Sequence, residues 1–184
     1  MADPGTGKTR YFTCDPRCVI PLGRFHVPST LARLVRRGDF LIRMDSSFEA
    51  VVRACARDRD EENRSWISES IVEASLRLHA LGLAHSVEAW RGGQLVGGLY
   101  GVALGGAFFG ESMFCRPDQG GTNASKVCLV HLVERLRRGG FILLDSQYAN
   151  EHILQFGAEE MVLALYLNRL RRALGVPAKW APEG

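Results

Sequence analysis

The sequence predicts a mixed α/β (α+β) domain, a central and mostly antiparallel sheet flanked by helices. Two Gly-Gly pairs, Gly92-Gly93 and Gly105-Gly106, cut a long β-prone stretch into three strands joined by tight turns, as an antiparallel meander requires. Ahead of the meander, apolar residues recur at helical spacing. Behind it come a helix pattern, a short apolar run and more helix pattern. At 184 residues the chain is most simply one domain. A chain of this size buries roughly 70% of its unfolded surface.

Residues 1–12 are polar and glycine-rich at their start and are expected to form a disordered N-terminal tail. The folded domain is expected over 13–176, and 177–184, with Pro177 and Pro182, is expected to be a C-terminal tail. A short helix is predicted over 29–38, with Ser29 to cap its start and Gly38 to end it. Residues 40–44 suit a strand. Ser46-Ser-Phe-Glu49 reads as a capping box that opens a helix with Phe48, Val51, Val52 and Cys55 on one face. A charged loop at 58–64 leads to a helix over 68–81. Its inner face is expected to carry Ile71, Val72, Leu76, Leu78 and Leu81, with Gly82 past its end. The meander strands fall at 85–91, 94–104 and 107–115. The loop 116–122 precedes a helix over 123–138 closed by Gly139, then a buried strand at 141–145, then helical pattern to about 174.

Composition excludes several classes. A net charge of +3 is too small to argue for a polyanionic partner by itself. The longest uncharged apolar run, 95–110, is too short to cross a membrane and holds six glycines, so no membrane role is expected. Five cysteines, Cys14, Cys18, Cys55, Cys115 and Cys128, are odd in number and irregular in spacing. They read as reduced thiols of a cytoplasmic protein, and the Cys14/Cys18 pair has no second pair with which to hold zinc. His79, His85, His131 and His152 show neither metal-ligand nor triad spacing and read as structural, so no metal and no cofactor is expected. Gly5-Thr-Gly-Lys-Thr9 suggests a phosphate loop, but Ala2 stands where that loop needs its first glycine and no apolar strand precedes it.

Four segments then follow one another in a fixed order: Trp90-Arg-Gly-Gly-Gln-Leu-Val-Gly-Gly-Leu-Tyr-Gly101, Phe109-Gly-Glu-Ser-Met-Phe114, Asn123-Ala-Ser-Lys126 and Asp145-Ser-Gln147. From about residue 15 to 172 the chain resembles the catalytic domain of the leucyl/phenylalanyl-tRNA–protein transferases. The resemblance implies the acyltransferase fold shared with N-acetyltransferases. It also implies transfer of Leu or Phe from aminoacyl-tRNA to proteins that begin with Arg or Lys, a mark for degradation. A monomer without cofactor is expected. Members carry an upstream Gly-Gly-Asp-Leu-like stretch and a Gly-Ile-Phe-Pro motif that are absent here, and this chain opens near the start of the family's main domain.

That reaction needs an ester and an amine held in near-attack geometry, a stabilised oxyanion and a route for a proton. By resemblance, Gln147 contacts the attacking amine and Asp145 orients it, although two polar residues closing a strand end are also common. An amide is a very weak base, which favours positioning over proton abstraction. Glu111 stands in an otherwise apolar strand, where a carboxylate is costly unless paired. It is either the counter-ion of a cationic substrate or one side of an internal salt bridge. Leu99, Phe108, Met113, Leu129, Leu132 and Leu144 are, by resemblance, the lining of the Leu or Phe side-chain pocket. Trp66 matches a family tryptophan near the terminal adenosine, where an indole stacks well, or it staples a helix entry. The family often has an aromatic where Ser75 stands. Asn123, Ser125 and Lys126 open a helix whose free N–H groups and lysine suit a phosphate or the ester region, with Asn123 also a candidate cap.

Basic clusters at Arg33, Arg36 and Arg37, at Arg135, Arg137 and Arg138, and at Arg169, Arg171 and Arg172 suit a tRNA acceptor stem or plain solvated faces. One alternative is an acetyl-CoA-dependent N-acetyltransferase. Its pyrophosphate loop is not found, since Gln94-Leu-Val-Gly97 lies in a strand and Gln119-Gly-Gly-Thr122 also fails. The other is a non-catalytic tRNA-binding remnant, against which Glu111, Asp145 and Gln147 argue.

Overall fold

The computed structural model describes residues 13–57 and 65–180. The expected tail at 1–12, the charged loop at 58–64 and the last four residues lie outside the described residues. The elements run β1 (Arg17–Ile20), α1 (Ser29–Arg37), β2 (Leu41–Met44), α2 (Phe48–Cys55), α3 (Glu69–Ala80), β3 (Ala84–Arg91), β4 (Gln94–Leu104), β5 (Ala107–Cys115), α4 (Ala124–Arg138), β6 (Leu143–Gln147), α5 (Glu151–Leu154), β7 (Glu159–Met161) and α6 (Leu163–Leu174). Seven strands form one sheet in the order β2-β3-β4-β5-β6-β1-β7. Every neighbouring pair is antiparallel except β5 with β6, which is parallel. The expected fold class is present.

Two adjacent glycines show how the helices cover both faces of the sheet. A Cβ on Gly97 would stand 2.5 Å from the Ala124 Cβ of α4, whereas one on Gly98 would stand 3.2 Å from Val51 Cγ2 of α2. Successive strand residues point to opposite faces, so α4 and α2 lie against opposite sides of β4, each where a glycine admits it. The α4 side holds the larger core, with Val87, Leu99, Phe108, Leu129, Leu132, Leu136 and Leu144. The α2–α3 side holds Phe48, Val51, Val52, Val72, Leu95 and Tyr100.

Several local expectations are corrected. Pro28 occupies the cap position of α1 and Ser29 is its first helical residue, while Gly38 closes it in the left-handed region at φ 66°. Leu81 is exposed beyond the end of α3. The strand expected at 141–145 begins two residues later, because Ile142 and Leu143 both donate to the Gly106 carbonyl before pairing starts. The pattern beyond 148 is not one helix: β7 interrupts it and pairs with β1 at the sheet edge. The capping box is also absent. Ser47 holds the cap position of α2 without a side-chain cap, and its backbone N–H donates to Glu88 Oε1 at 2.7 Å.

Glu88 is a fully buried acid. Besides the Ser47 N–H, it accepts from the Ser46 hydroxyl, from Ser86 Oγ at 3.0 Å and from Trp90 Nε1 at 3.0 Å. The start of α2 therefore rests on a carboxylate supplied by β3, favourable both for the bonds and for the helix dipole. At the other end of the chain, residues 177–180 follow α6 without regular structure. There Trp180 stacks on His85 at 4.3 Å and on Phe108 at 5.7 Å.

Glu88→Gln keeps the volume but turns an NH2 donor toward groups that are themselves donors. We expect it to lower the free energy of unfolding by about 2–4 kcal/mol, read as a lower urea midpoint with unchanged slope. An unchanged midpoint would show that the carboxylate does not hold α2.

Candidate active site

The site arises where two parallel strands part. β5 and β6 pair only through Ala107–Leu143, Phe108–Leu144 and Phe109–Asp145. β5 then continues on β4 as far as Cys115 opposite Gly97, and β6 continues on β1 as far as Gln147 opposite Cys18. Two local irregularities sit at the fork. Tyr100 is opposite Ser112 and Gly101 is opposite Gly110, so Glu111 is the extra residue of a β-bulge, which re-aims its side chain. Gln147 has φ 66°, a left-handed conformation that costs a non-glycine residue roughly 1–2 kcal/mol. Beside the fork lies a cleft of about 1250 Å³.

Asp145 anchors the fork. It is fully buried and accepts from Arg17 Nη2 at 2.7 Å, from Arg17 Nε at 3.1 Å and from Tyr166 Oη at 2.6 Å. Burial, together with that hydrogen bond, pushes the Tyr166 phenol well above its ordinary range, so it acts as the donor. Asp145 Oδ1 also accepts the backbone N–H of Gln147 at 2.8 Å, which secures the left-handed turn.

The Gln147 amide is oriented by other groups. Its Nε2 donates to the Gly110 carbonyl at 3.1 Å and to Glu111 Oε2 at 3.3 Å. Both neighbours are acceptors, so chemistry dictates which end of the amide faces them. Asp145 thus holds the Gln147 backbone, while β5 holds its side chain. Burial pushes the Glu111 carboxyl above its ordinary range, against the pull of the Gln147 hydrogen bond. Among the described residues, no salt bridge includes Glu111.

Of the expected pocket residues, Leu99, Met113, Leu129, Leu132 and Leu144 line the cleft with Glu111 and Asp145. Phe108 is not among the lining residues; it is fully buried beneath Trp180. Trp66 packs with the α2–α3 core and is not among the lining residues either. Ser125 lines the cleft, whereas Lys126 Nζ binds Gln155 Oε1 at 3.3 Å. Asn123 holds the cap position of α4 with φ 64° and no side-chain cap bond. Arg135 is buried, its guanidinium 4.9 Å from the Trp180 ring centroid, so that basic cluster is smaller than its sequence suggests. Sequence reasoning missed Arg17 and Tyr166, which are 128 and 21 residues from their partner. It also missed His152, which lines the cleft with its Nε2 3.2 Å from Met113 Sδ.

The loop before α4 lies flat on the sheet. A Cβ on Gly121 would meet the Val96 carbonyl at 2.2 Å, so the glycine backbone packs directly against β4. Among the described residues, no group of three or more His, Cys, Asp or Glu side chains could hold a metal. No helix among them is long and apolar enough to cross a membrane.

A family model described as Leucyl/phenylalanyl-tRNA protein transferase matches residues 19–171. A protein of that name from Rubrobacter xylanophilus is 54% identical over 98% of this chain and 91% of its own length. Another from Phenylobacterium zucineum is 56% identical over 95% of this chain and 78% of its own. Among solved structures, L-PGS from Bacillus licheniformis is similar with a TM-score of 0.50, at 9% identity over 90% of this chain and 67% of that one. This last likeness is one of fold alone.

Arg17→Ala leaves Asp145 buried without its cation and is expected to cost about 3–5 kcal/mol of stability. Tyr166→Phe removes one bond to a charged group and is expected to cost about 1.5–3 kcal/mol; urea unfolding of both checks the order. For Glu111 the sign is opposite. A raised folded-state pKa means that the folded protein holds the proton more tightly than the unfolded chain, so ionisation weakens the fold as pH rises. Glu111→Gln is therefore expected to match the wild type in melting temperature at pH 4 and to equal or exceed it at pH 7. A clear loss at pH 7 would show that Glu111 has a structural cation.

Proposed function

The chain belongs to the leucyl/phenylalanyl-tRNA–protein transferase family, and we propose that it joins the amino acid of an aminoacyl-tRNA to the N-terminus of an acceptor protein. In this reading the amino acid is Leu or Phe, the acceptors begin with Arg or Lys, and the enzyme works as a cytoplasmic monomer. The observation that carries it is the contact of Gln147 with Glu111: Glu111 lines the cleft beside its apolar residues, Gln147 stands behind it and is not itself a lining residue, and the buried Asp145 carboxylate braces the Gln147 backbone.

The aminoacyl side chain enters the half lined by Leu99, Met113, Leu129, Leu132 and Leu144. A charged side chain would lose its hydration there without gaining a partner. Leu, Phe and Met differ in that space by shape alone, so discrimination among them is weak. The ester carbonyl then lies near Glu111 and Gln147. Because Nε2 of Gln147 is committed to Gly110 and Glu111, Oε1 is the end of the amide that receives an N–H of the attacking amine and sets its line of approach. Glu111 supplies the negative charge that a cationic acceptor needs.

The amine nitrogen bonds to the ester carbon and the bond from that carbon to the ribose oxygen breaks. The amine's surplus proton passes, through water or the neighbouring ribose hydroxyl, to the departing oxygen. No covalent enzyme intermediate is required. The main contribution is positioning, which suits groups whose orientations are set before substrate arrives.

Transfer of labelled Leu or Phe from charged tRNA to an Arg-initiated peptide tests the reading. Gln147→Ala is expected to lower kcat about a hundredfold. Glu111→Gln is expected to raise the peptide KM at least about thirtyfold. A folded wild type that transfers nothing, or that accepts an Asp-initiated peptide equally well, overturns it.

A further inference from the structure

The chain beyond α6 has no regular structure, yet the fold makes a track for it. It leaves α6 across the β4–β5 turn, where the Gly106 N–H donates to the Ala173 carbonyl at 2.7 Å and a Cβ on Gly106 would lie 2.8 Å from Val176 Cβ. It then reaches the end of α4. There the Lys179 N–H donates to the Gly139 carbonyl at 3.0 Å, and a Cβ on Gly139 would lie 2.2 Å from the Lys179 carbonyl oxygen. Gly139 has φ −77°, which any residue adopts. Its missing side chain therefore makes room for this strap and is not needed to end the helix.

The strap delivers Trp180, whose indole lies between α4 and the sheet. Arg135 of α4 has its guanidinium 4.9 Å from the indole centroid. On the sheet side the indole stacks on His85 of β3 at 4.3 Å and on Phe108 of β5 at 5.7 Å. Its Nε1 has no hydrogen-bond partner among the described residues, so contacts of its ring hold it. Phe108 is in turn pressed onto β4, where a Cβ on Gly101 would lie 2.4 Å from Phe108 Cε1. The Phe108 ring is thus clasped between a bare stretch of β4 and the indole. Its register partner on β6 is Leu144, which lines the apolar half of the cleft.

Helix α4 is consequently held to the sheet at both ends. At its start Ala124 rests on Gly97, and at its finish stand Arg135, Trp180 and Gly139. Leu129 and Leu132, which line the apolar half of the cleft, lie between these two supports. A close-packed interior passes a change of volume on to its neighbours, so the support behind Phe108 bears on the width of the space in front of it.

We propose that Trp180 is a positioning residue that sets the depth of the acyl side-chain pocket, by backing Phe108 and by fixing the spacing of α4 from the sheet. The proposal rests on the transferase reading above. Trp180 does not touch the substrate and acts through Phe108, Leu144 and α4. Without the indole, these neighbours relax into part of the vacated volume. The pocket then deepens, and a larger acyl group gains on a smaller one.

Trp180→Ala and Trp180→Phe are compared with the wild type in melting temperature, in kcat/KM for Leu-tRNA and for Phe-tRNA, and in KM for the Arg-initiated peptide. The dissociation constants of the non-hydrolysable 3′-amides of Leu and of Phe with adenosine are measured alongside. In Trp180→Ala we expect the preference for Phe over Leu to rise about two- to thirtyfold, the range that residues remote from a ligand exert on it. The rise should appear in transfer and in amide binding, with the peptide KM unchanged. Trp180→Phe keeps a ring on Phe108 and should shift the preference less, in the same direction. An unchanged preference in both variants, whatever the melting temperature, would show that Trp180 serves the fold alone and would overturn the proposal. Equal losses for Leu and Phe would do the same. Where Trp180→Ala does not fold, an unchanged preference in Trp180→Phe overturns it. A wild type that binds both amides and transfers nothing removes the transferase reading and leaves the amide preference to decide the role of Trp180. A wild type that binds neither removes both.

Discussion

The buried carboxylate of Asp145 is the point on which the site depends. It ties together three stretches of chain that are far apart in sequence: Arg17 from the second-to-last strand of the sheet, Tyr166 from the last helix, and the end of β6 with its turn at Gln147. A carboxylate without solvent is tolerable only when its oxygens are filled by donors. Here a guanidinium, a phenol and a backbone N–H fill them. The strained φ of Gln147 persists because one of those donors is its own amide. The position of the Gln147 side chain is thus a property of the core and not of a loop.

Glu111 shows the opposite economy. It is half-buried in a strand that is otherwise apolar, its hydrogen bond among the described residues comes from a neutral amide, and burial disfavours its charge. A protein selected for stability alone would place a glutamine or an apolar residue there. An ionised carboxylate that is poorly served by its own chain is well served by a positive ligand, and that contrast carries more functional meaning than a satisfied acid such as Glu88, whose bonds all serve the fold.

Much of this was legible in the sequence, and the reasons differ by element. The three meander strands announce themselves because two Gly-Gly turns bound them, and they are found close to where the turns place them. Helix α4 is legible because a long amphipathic run ends in glycine. β1 and β7 are four and three residues long, too short for any period to register, and what makes them strands is each other and β6. The same limit hid Arg17. Nothing near it marks it as a ligand, and its partner lies 128 residues away. Glu111 could be picked out because a charge interrupts an apolar strand, but its bulge could not. Phe108 is expected in the pocket lining by resemblance, and it does lie in the same α4-side core as Leu99 and Leu144, but Trp180, distant in sequence, stacks on it. Ser46 and Glu49 matched a capping pattern, yet the acid that serves the start of α2 comes from another strand.

The parting of β5 and β6 has a mechanical side. Hydrogen bonding between neighbouring strands tends to propagate, and an open fork would be expected to close. Here each arm is already spoken for on its far side, β5 by β4 and β6 by β1, up to the last residues of the opening. The bulge at Glu111 and the left-handed turn at Gln147 put the two arms out of step, so closing the fork would demand breaking pairings already made. The cleft is a sheet stopped partway through zipping, held apart by the pairings its two arms make elsewhere. A substrate that enters such a gap need not bear the work of creating it.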